Sequence, residues 1–143
     1  MTIPQISIFL ENRVGQLAAI TKILADNNID MRAISIAENA DYGIVRLITD
    51  QPERTASILV ENGIVLSLTP VLAVAVPDRV GGLANLLGLL SDNAVSVEYM
   101  YSLFTHANGC AYMVFRVADE EKFVALLEAN GMQTATKEEI GIK

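Results

Sequence analysis

A short glycine-containing segment occurs twice in this chain and strongly limits how the chain can fold. The first copy, here called the first loop, runs from Glu11 to Leu17 and reads Glu-Asn-Arg-Val-Gly-Gln-Leu. The second loop runs from Pro77 to Leu83 and reads Pro-Asp-Arg-Val-Gly-Gly-Leu. Each loop follows an alternating apolar run, which predicts a strand, and precedes an apolar run with the period of a helix. Glycine allows a sharp turn between the two, so the sequence predicts two strand–turn–helix connections.

The helix that follows each turn gives the loop its chemical character. The first N–H groups of a helix have no partner within the helix, and they attract carboxylates and phosphates. Two such loops therefore suggest a pair of sites for small anions. The alternative interpretation is that both segments are tight turns without a ligand, and the spacing alone favours that alternative.

The elements around the first loop follow the order strand, helix, strand, strand, helix, strand. Apolar residues alternate in the first strand and then recur with helical spacing, with Val14 on the apolar face of the first helix. Asp50 is the predicted N-cap of the second helix, Pro52 suits its first turn, and Val60 is counted among its apolar residues. The predicted strands are 5–10, 31–38, 43–49 and 64–69, and the predicted helices are 14–27 and 52–61.

After Pro70, which is expected to interrupt the chain between two strands, the same order returns. The motif Arg-Val-Gly recurs after 66 residues, and the Asn-Gly pair that closes the second helix recurs after 68 residues. The predicted strands are 71–76, 95–104, 110–117 and 132–136, with a turn at 105–109, helices that begin near Val80 and at Asp119, and a short tail at 137–143. We therefore predict two domains, 1–70 and 71–143.

Composition and charge exclude several classes of function. The net charge of −7 argues against nucleic acid or an anionic membrane surface as the main partner, because both require clustered Lys and Arg. The single cysteine, Cys110, excludes an internal disulfide and a CxxC motif. His106 has no nearby Cys or Asp partner, so we expect no metal and no cofactor. A basic signal segment is missing and the longest apolar run, Val71–Val76, is too short to span a bilayer, so we predict a cytoplasmic protein.

The twofold βαββαβ order and the two loops resemble those of tandem ACT-domain proteins. The ACT family is a small-molecule regulatory module of amino-acid metabolism, and its loop after the first strand has the form Asn-x-Pro-Gly-x-Leu. The resemblance covers residues 3 to about 136. Two departures are visible: Val14 and Val80 stand where the family often has proline, and Asp78 stands where it often has asparagine.

The resemblance implies an α+β fold of two ferredoxin-like βαββαβ units, whose antiparallel sheets pair side by side with the helices on one face. It also implies amino-acid binding between the first-strand loop of one unit and the second strand of the other. The loop residues so implied are Asn12, Arg13, Val14, Gly15, Gln16, Leu17, Asp78, Arg79, Val80, Gly81, Gly82 and Leu83. The candidate walls on the second strands are Ala33, Ser35, Ala37, Tyr99, Tyr101 and Ser102.

The two loops are not expected to bind an amino acid equally well. Asn12 can both donate and accept hydrogen bonds, so it can meet the carboxylate or the ammonium group of a ligand. Asp78 only accepts and is charged, so it repels a carboxylate that lies over the helix N-terminus. We therefore expect one strong site at Asn12 and a weak or empty site at Asp78.

The function that follows is a non-catalytic regulator that binds a free amino acid and acts through a partner, with a metabolic enzyme as the candidate. A homodimer is expected, because the strand Val71–Val76 is apolar on both faces and one sheet face is predicted to be open. An alternative is a small regulatory subunit of an amino-acid biosynthetic enzyme, similar to that of acetolactate synthase. A small enzyme on a ferredoxin-like fold is a further alternative, against which stands the lack of a paired acid and base.

Overall fold

The computed structural model describes residues 2–11, 13–38 and 41–143, and within them the chain forms six strands and four helices. In chain order these are β1 (Ile3–Glu11), α1 (Gln16–Asp26), β2 (Met31–Glu38), β3 (Tyr42–Thr49), α2 (Pro52–Glu61), β4 (Leu66–Pro77), α3 (Gly82–Asp92), β5 (Val97–Ala107), β6 (Cys110–Val117) and α4 (Glu120–Ala129). None of the helices in this part of the chain has the length and apolar character that a membrane span requires.

The chain divides into two compact units, and both have the predicted antiparallel, ferredoxin-like α+β arrangement. The N-terminal unit comprises residues 4–69 together with 141–143, and the C-terminal unit comprises residues 70–140 together with 2–3. The predicted domain bounds, 1–70 and 71–143, stay a prediction.

The N-terminal unit buries one face of its sheet under its two helices. Strands β2, β3 and β1 lie in that order and pair antiparallel. Successive side chains of a strand point to opposite faces, so alternate apolar residues reach the helices. Its core is formed by Ile6, Ile8, Ile20, Leu24, Ile29, Val45, Leu47 and Leu59.

The C-terminal unit repeats this construction with strands β4, β6 and β5 in order. The rings of Phe115 on β6 and Phe123 on α4 contact at a centroid distance of 5.5 Å, an arrangement that adds specific packing to plain burial. The remaining core residues are Leu72, Val74, Val76, Leu86, Leu90, Val95, Val117 and Leu127.

Strand β4 corrects the expectation that Pro70 interrupts the chain. The strand runs from Leu66 to Pro77 through Pro70 without a break. Proline fixes a φ that an extended strand tolerates, and it removes only one donor. The Pro70 carbonyl still accepts a hydrogen bond of 2.8 Å from the guanidinium of Arg116. The penalty for a proline within a strand is therefore limited to one missing N–H.

Details of the helix termini also differ from the prediction. Helix α1 begins at Gln16, so Val14 precedes it and is fully exposed instead of lying on its apolar face. Val60 is 59% exposed on α2. Gln51 occupies the N-cap of α2 in place of Asp50. The buried Asp50 carboxylate instead accepts a 3.0 Å hydrogen bond from the backbone N–H of Asp30, which fixes the approach to β2.

The hairpin between β5 and β6 is tighter than predicted. The structure has a two-residue turn at Asn108 and Gly109, whose φ values are 54° and 72°. Two successive positive φ values are typical of the type I′ turn, which Asn-Gly favours. His106 therefore lies on β5 opposite Ala111 and is exposed there, instead of lying in a loop.

The segment after α4 is the largest departure from the sequence prediction. The predicted strand 132–136 is reduced to a single bridge between Thr134 and Val74, supported by a 2.7 Å hydrogen bond from the Ala135 N–H to the Ala73 carbonyl. The predicted tail is packed, because Ile140 and Ile142 are 0% and 5% exposed.

Polar contacts hold this C-terminal segment in place. Within the C-terminal unit, the Tyr112 hydroxyl donates to the Glu139 carboxylate at 3.2 Å, and that carboxylate also accepts from Thr136. Burial, followed by the hydrogen bond to Glu139, raises the pKa of Tyr112. Within the N-terminal unit, the Lys143 N–H donates to the Asp50 carbonyl at 2.8 Å.

The predicted open apolar face at Val71–Val76 is therefore wrong. On the face opposite the helices, Val71 and Ala73 are 1% and 0% exposed, so this strand offers no open apolar surface. A homodimer, if it forms, needs a different surface.

The packed C-terminal segment generates a stability prediction. Replacing Ile140 by Ala removes a fully buried side chain, so we expect the free energy of unfolding to fall by about 2–5 kcal/mol. The measurement is urea unfolding followed by circular dichroism. Lys137→Ala, at an exposed position of the same segment, is the control and should change stability by less than about 0.5 kcal/mol. Equal stability of both variants and the parent would show that the segment is a loose tail after all.

Candidate functional site

The first loop is held by a left-handed glycine and by three local backbone hydrogen bonds. Gly15, with φ of 88° and ψ of −8°, is the N-cap of α1. The Arg13 N–H donates to the Glu11 carbonyl at 2.8 Å and the Gln16 N–H donates to the Arg13 carbonyl at 3.4 Å. The Ala19 N–H donates to the Gly15 carbonyl at 2.9 Å, which is the first hydrogen bond of the helix.

The second loop has the same backbone arrangement 66 residues later. Gly81 is the N-cap of α3, with φ of 85° and ψ of −4°. The Arg79 N–H donates to the Pro77 carbonyl at 3.0 Å, the Gly82 N–H to the Arg79 carbonyl at 3.0 Å, and the Asn85 N–H to the Gly81 carbonyl at 2.9 Å. The repeated sequence motif therefore corresponds to a repeated local structure.

Both helix N-termini are open to an external acceptor. Among the residues that the structure describes, no side chain makes a hydrogen bond at the N-cap of α1 or α3, and neither helix has an acidic residue in its first turn. By contrast, the carboxylate of Asp119 caps α4 by accepting from the Lys122 N–H at 3.1 Å. The partial positive charge of an uncapped N-terminus stabilises a bound anion.

The side chains of the first loop have separate roles. Arg13 pairs with Glu11 at 3.2 Å on the surface, Val14 is fully exposed, and Leu17 packs against the core of its unit. Asn12, the predicted recognition residue, lies outside the described residues, so the site assigned to it stays a prediction.

In the second loop, Asp78, Arg79 and Val80 are exposed, and Leu83 packs against the core of the C-terminal unit. The Asp78 N–H donates to the carbonyl of Gly109 at 2.8 Å. The β5–β6 hairpin therefore fixes the start of the second loop.

Gln16 and Gly82 occupy equivalent positions but differ in a way that the sequence motif did not predict. A Cβ atom at Gly82 would collide with the Pro77 carbonyl, so the second loop lies directly against the end of its strand. In the first loop the same position carries a full side chain. The amide oxygen of Gln16 is buried, and it has no hydrogen-bond partner within the residues that the structure describes.

The predicted wall residues lie in equivalent rows on the two sheets. Ser35 lies opposite Arg46, which lies opposite Ser7. In the C-terminal unit Tyr101 lies opposite Val114, which lies opposite Ala73. The first row is polar and the second is largely apolar.

Within a unit, the structure does not bring these rows to the loop. The Ser7 row is four strand positions from Glu11, which corresponds to about 13 Å along the sheet. The same spacing separates Ala73 from Pro77 in the second repeat. One amino acid is too small to contact a loop and the wall residue of the same unit, so the predicted pairing of each loop with the other unit's strand stays a prediction.

The other predicted wall residues lie on the same two strands. Ala33 is buried and Ala37 is exposed on β2, and Ser102 is exposed on β5. The rings of Tyr99 and Tyr101 stack with centroids 6.4 Å apart. Arg46, a partly buried cation between Ser7 and Ser35, was not among the predicted residues. A charged residue between two apolar residues of a predicted strand was the sequence pattern that could have identified it.

The comparisons with known proteins define the class. A family model described as an ACT domain pair matches residues 1–141, and the chain belongs to this family. The resemblance inferred from the two loops and the twofold element order is thereby confirmed. No curated protein sequence matches the chain.

Solved structures give the same fold. Protein BT0572 from Bacteroides thetaiotaomicron is 36% identical, with a TM-score of 0.90 over 99% of this chain and 96% of that chain. The regulatory subunit of aspartate kinase from Thermus thermophilus is 14% identical, with a TM-score of 0.59 over 88% and 91%. The corresponding subunit from Thermus flavus is 15% identical, with a TM-score of 0.57 over 88% of each chain. At this low identity the two subunits show a shared fold alone.

The close approach at Gly82 generates a prediction with an internal control. Gly82→Ala should lower the free energy of unfolding by about 1–3 kcal/mol, because the added methyl group displaces the loop from the strand. Gly88→Ala, in the same helix, adds a methyl group that meets nothing within 4 Å and should raise stability by about 0.5–1 kcal/mol. Urea unfolding of both variants at one protein concentration, low enough to keep the chain monomeric, measures these effects, and a Gly82→Ala variant as stable as the parent would contradict the close contact.

Proposed function

We propose that this chain is a non-catalytic regulatory protein that binds a free amino acid at the N-terminus of α1. The observation that carries the proposal is the uncapped helix N-terminus behind a left-handed glycine, present in both loops of a chain that belongs to the ACT domain family. If the loops served only as turns, a capping side chain or acidic residues in the first helical turn would be compatible with them, but within the described residues both helices lack these features.

The residue chemistry of the first loop suits the two charged groups of an amino acid. The carboxylate lies against the N–H groups that open α1, where the helix dipole stabilises it. The Gln16 amide oxygen is an acceptor, so it suits the ammonium group. A buried acceptor that has no partner among the described residues is costly, and a ligand that donates to it removes that cost.

The regulatory part of the proposal is that ligand binding acts through assembly with other chains. We propose a homodimer and, as a further partner, a metabolic enzyme whose activity the amino acid controls. Support comes from the ACT domain pair and from the fold shared with two regulatory subunits of aspartate kinase. In one version of this proposal the chain stays bound to its partner, as a regulatory subunit of an amino-acid biosynthetic enzyme.

Ligand binding can be tested by thermal shift with the twenty amino acids. A ligand at roughly 100 times its dissociation constant stabilises the folded protein by about 2.7 kcal/mol. Gly15→Ala should abolish the shift caused by that ligand, since a Cβ at φ of 88° strains the loop whose N–H groups bind the carboxylate.

Gly63→Ala is the matched control for this experiment. Gly63 ends α2 with φ of 75°, has equally open space at its Cβ position and is not a predicted site residue. Both variants should lose a similar stability, about 1–2 kcal/mol, but only Gly15→Ala should lose the ligand. If both folded variants respond to the amino acid like the parent, the first loop is not the site.

The predicted difference between the two loops has its own test by calorimetry. Asn12→Ala should weaken binding by about 1.5–3 kcal/mol, a factor of roughly 10 to 150, because it removes a hydrogen bond to a charged ligand group. Asp78→Ala should be nearly neutral, since the Asp78 carboxylate repels that of the ligand. Loss of binding in Asp78→Ala with full binding in Asn12→Ala would reverse the assignment of the strong site.

A further inference from the structure

A groove runs along the outer face of α3 in the C-terminal unit. It has a volume of about 650 Å³ and extends from Arg79, before the helix, to Asp92, the last residue of the helix. Between these two ends α3 has no charged residue, and its exposed positions are small or neutral: Ala84, Asn85, Gly88 and Ser91. The far wall of the groove includes Asn130 and Met132.

The fold of the unit gives no reason for a glycine at position 88. Glycine weakens the interior of a helix relative to alanine, because more backbone freedom is lost on folding. A Cβ atom at Gly88 would meet nothing within 4 Å. No side chain of the described residues covers the α3 backbone at this position. The axis of a second helix could therefore approach that of α3 at the short end of the interaxial range usual for packed helices, about 8–10 Å.

The charges at the two ends of the groove lack an ion-pair partner among the residues that the structure describes. Neither the Arg79 nor the Asp92 side chain makes an ion pair with any residue in the described part of the structure. The equivalent residues of the first repeat are both paired: Arg13 binds Glu11 at 3.2 Å, and Asp26 binds Lys22 at 2.8 Å. Lys22 occupies the position that is equivalent to Gly88.

A groove that is positive at one end, negative at the other and neutral between them is complementary to an antiparallel copy of itself. A two-fold axis near the middle of α3 places Arg79 of each copy against Asp92 of the other, and brings the small residues together. We propose that a second copy of this chain docks on α3 through this groove, with the two α3 helices antiparallel.

The other helices are poorer candidates for this contact. Each copy has a net charge of −7, so a surface that pairs with itself needs local charge balance. Helices α2 and α4 carry exposed glutamates. On the equivalent face of α1, Lys22 and Asp26 already neutralise each other, so neither charge needs a partner from a second copy. The α3 surface is the proposed contact for the homodimer described under the proposed function. The contact itself does not require a bound amino acid.

Charge reversal tests the surface directly. Sedimentation equilibrium over roughly 1 to 100 µM protein, a range suited to a contact of modest area, should show a monomer–dimer equilibrium. Arg79→Glu and Asp92→Arg each create two repulsive contacts in the dimer, so each should raise the dissociation constant by roughly tenfold or more. The double variant Arg79→Glu/Asp92→Arg restores opposite charges and should return the constant to within about threefold of the parent value.

Two further variants separate the groove from general effects of charge. Asp26→Arg makes the same reversal at the equivalent place on α1 and should leave dimerisation unchanged. Gly88→Lys fills the groove and gives Asp92 an internal partner, as Lys22 does for Asp26, so it should yield a monomer with the helical circular dichroism of the parent. A dimer that survives Gly88→Lys, or a double variant that stays as weak as the single ones, would overturn the α3 interface while leaving self-association intact. A monomer at every concentration would overturn both.

Discussion

The left-handed backbone of Gly15 and Gly81 is the constraint on which both repeats depend. A strand that leads into a helix lying on its own sheet must change direction within a few residues. Residues other than glycine adopt the necessary positive φ only at a cost in free energy. Because glycine has no side chain with which to cap the helix, the same residue that makes the connection also leaves the helix N–H groups available. The strand-to-helix connection and the uncapped helix N-terminus thus share one cause in each repeat.

Local rules predicted the features of this structure that depend on a few neighbouring residues. The two loops, the Asn-Gly ends of α2 and α4 and the strand that ends at Glu38 follow from sequence patterns, because each is fixed by φ preferences or by alternation. The difference between Gln16 and Gly82 was not predictable in the same way. Both segments fit the same motif and share the same backbone arrangement, and the contact between position 82 and the Pro77 carbonyl is visible only in the structure.

Long-range contacts account for most of the errors. Pro70 lies inside β4 because its carbonyl has a partner on β6, which is 46 residues away in sequence. The segment after α4 is packed because Glu139 accepts a hydrogen bond from Tyr112 and Ile140 is buried. The polar sequence of this segment had indicated an unpacked tail. Val71 and Ala73, on the strand face opposite the helices, are also buried, so β4 does not offer the open apolar surface expected from sequence. None of these partners is near in sequence, and no local pattern identifies them.

The position of residues 141–143 has a consequence for how the protein is made. These residues belong to the N-terminal unit, although the whole C-terminal unit precedes them in the chain. Domains generally fold as they leave the ribosome, N-terminal first. Here the N-terminal unit cannot be completed until the residues beyond Ile140 have been synthesised, because the contact between Asp50 and Lys143 closes a very long stretch of chain. The contact between Asp50 and Lys143 can therefore form only after the second repeat has been synthesised.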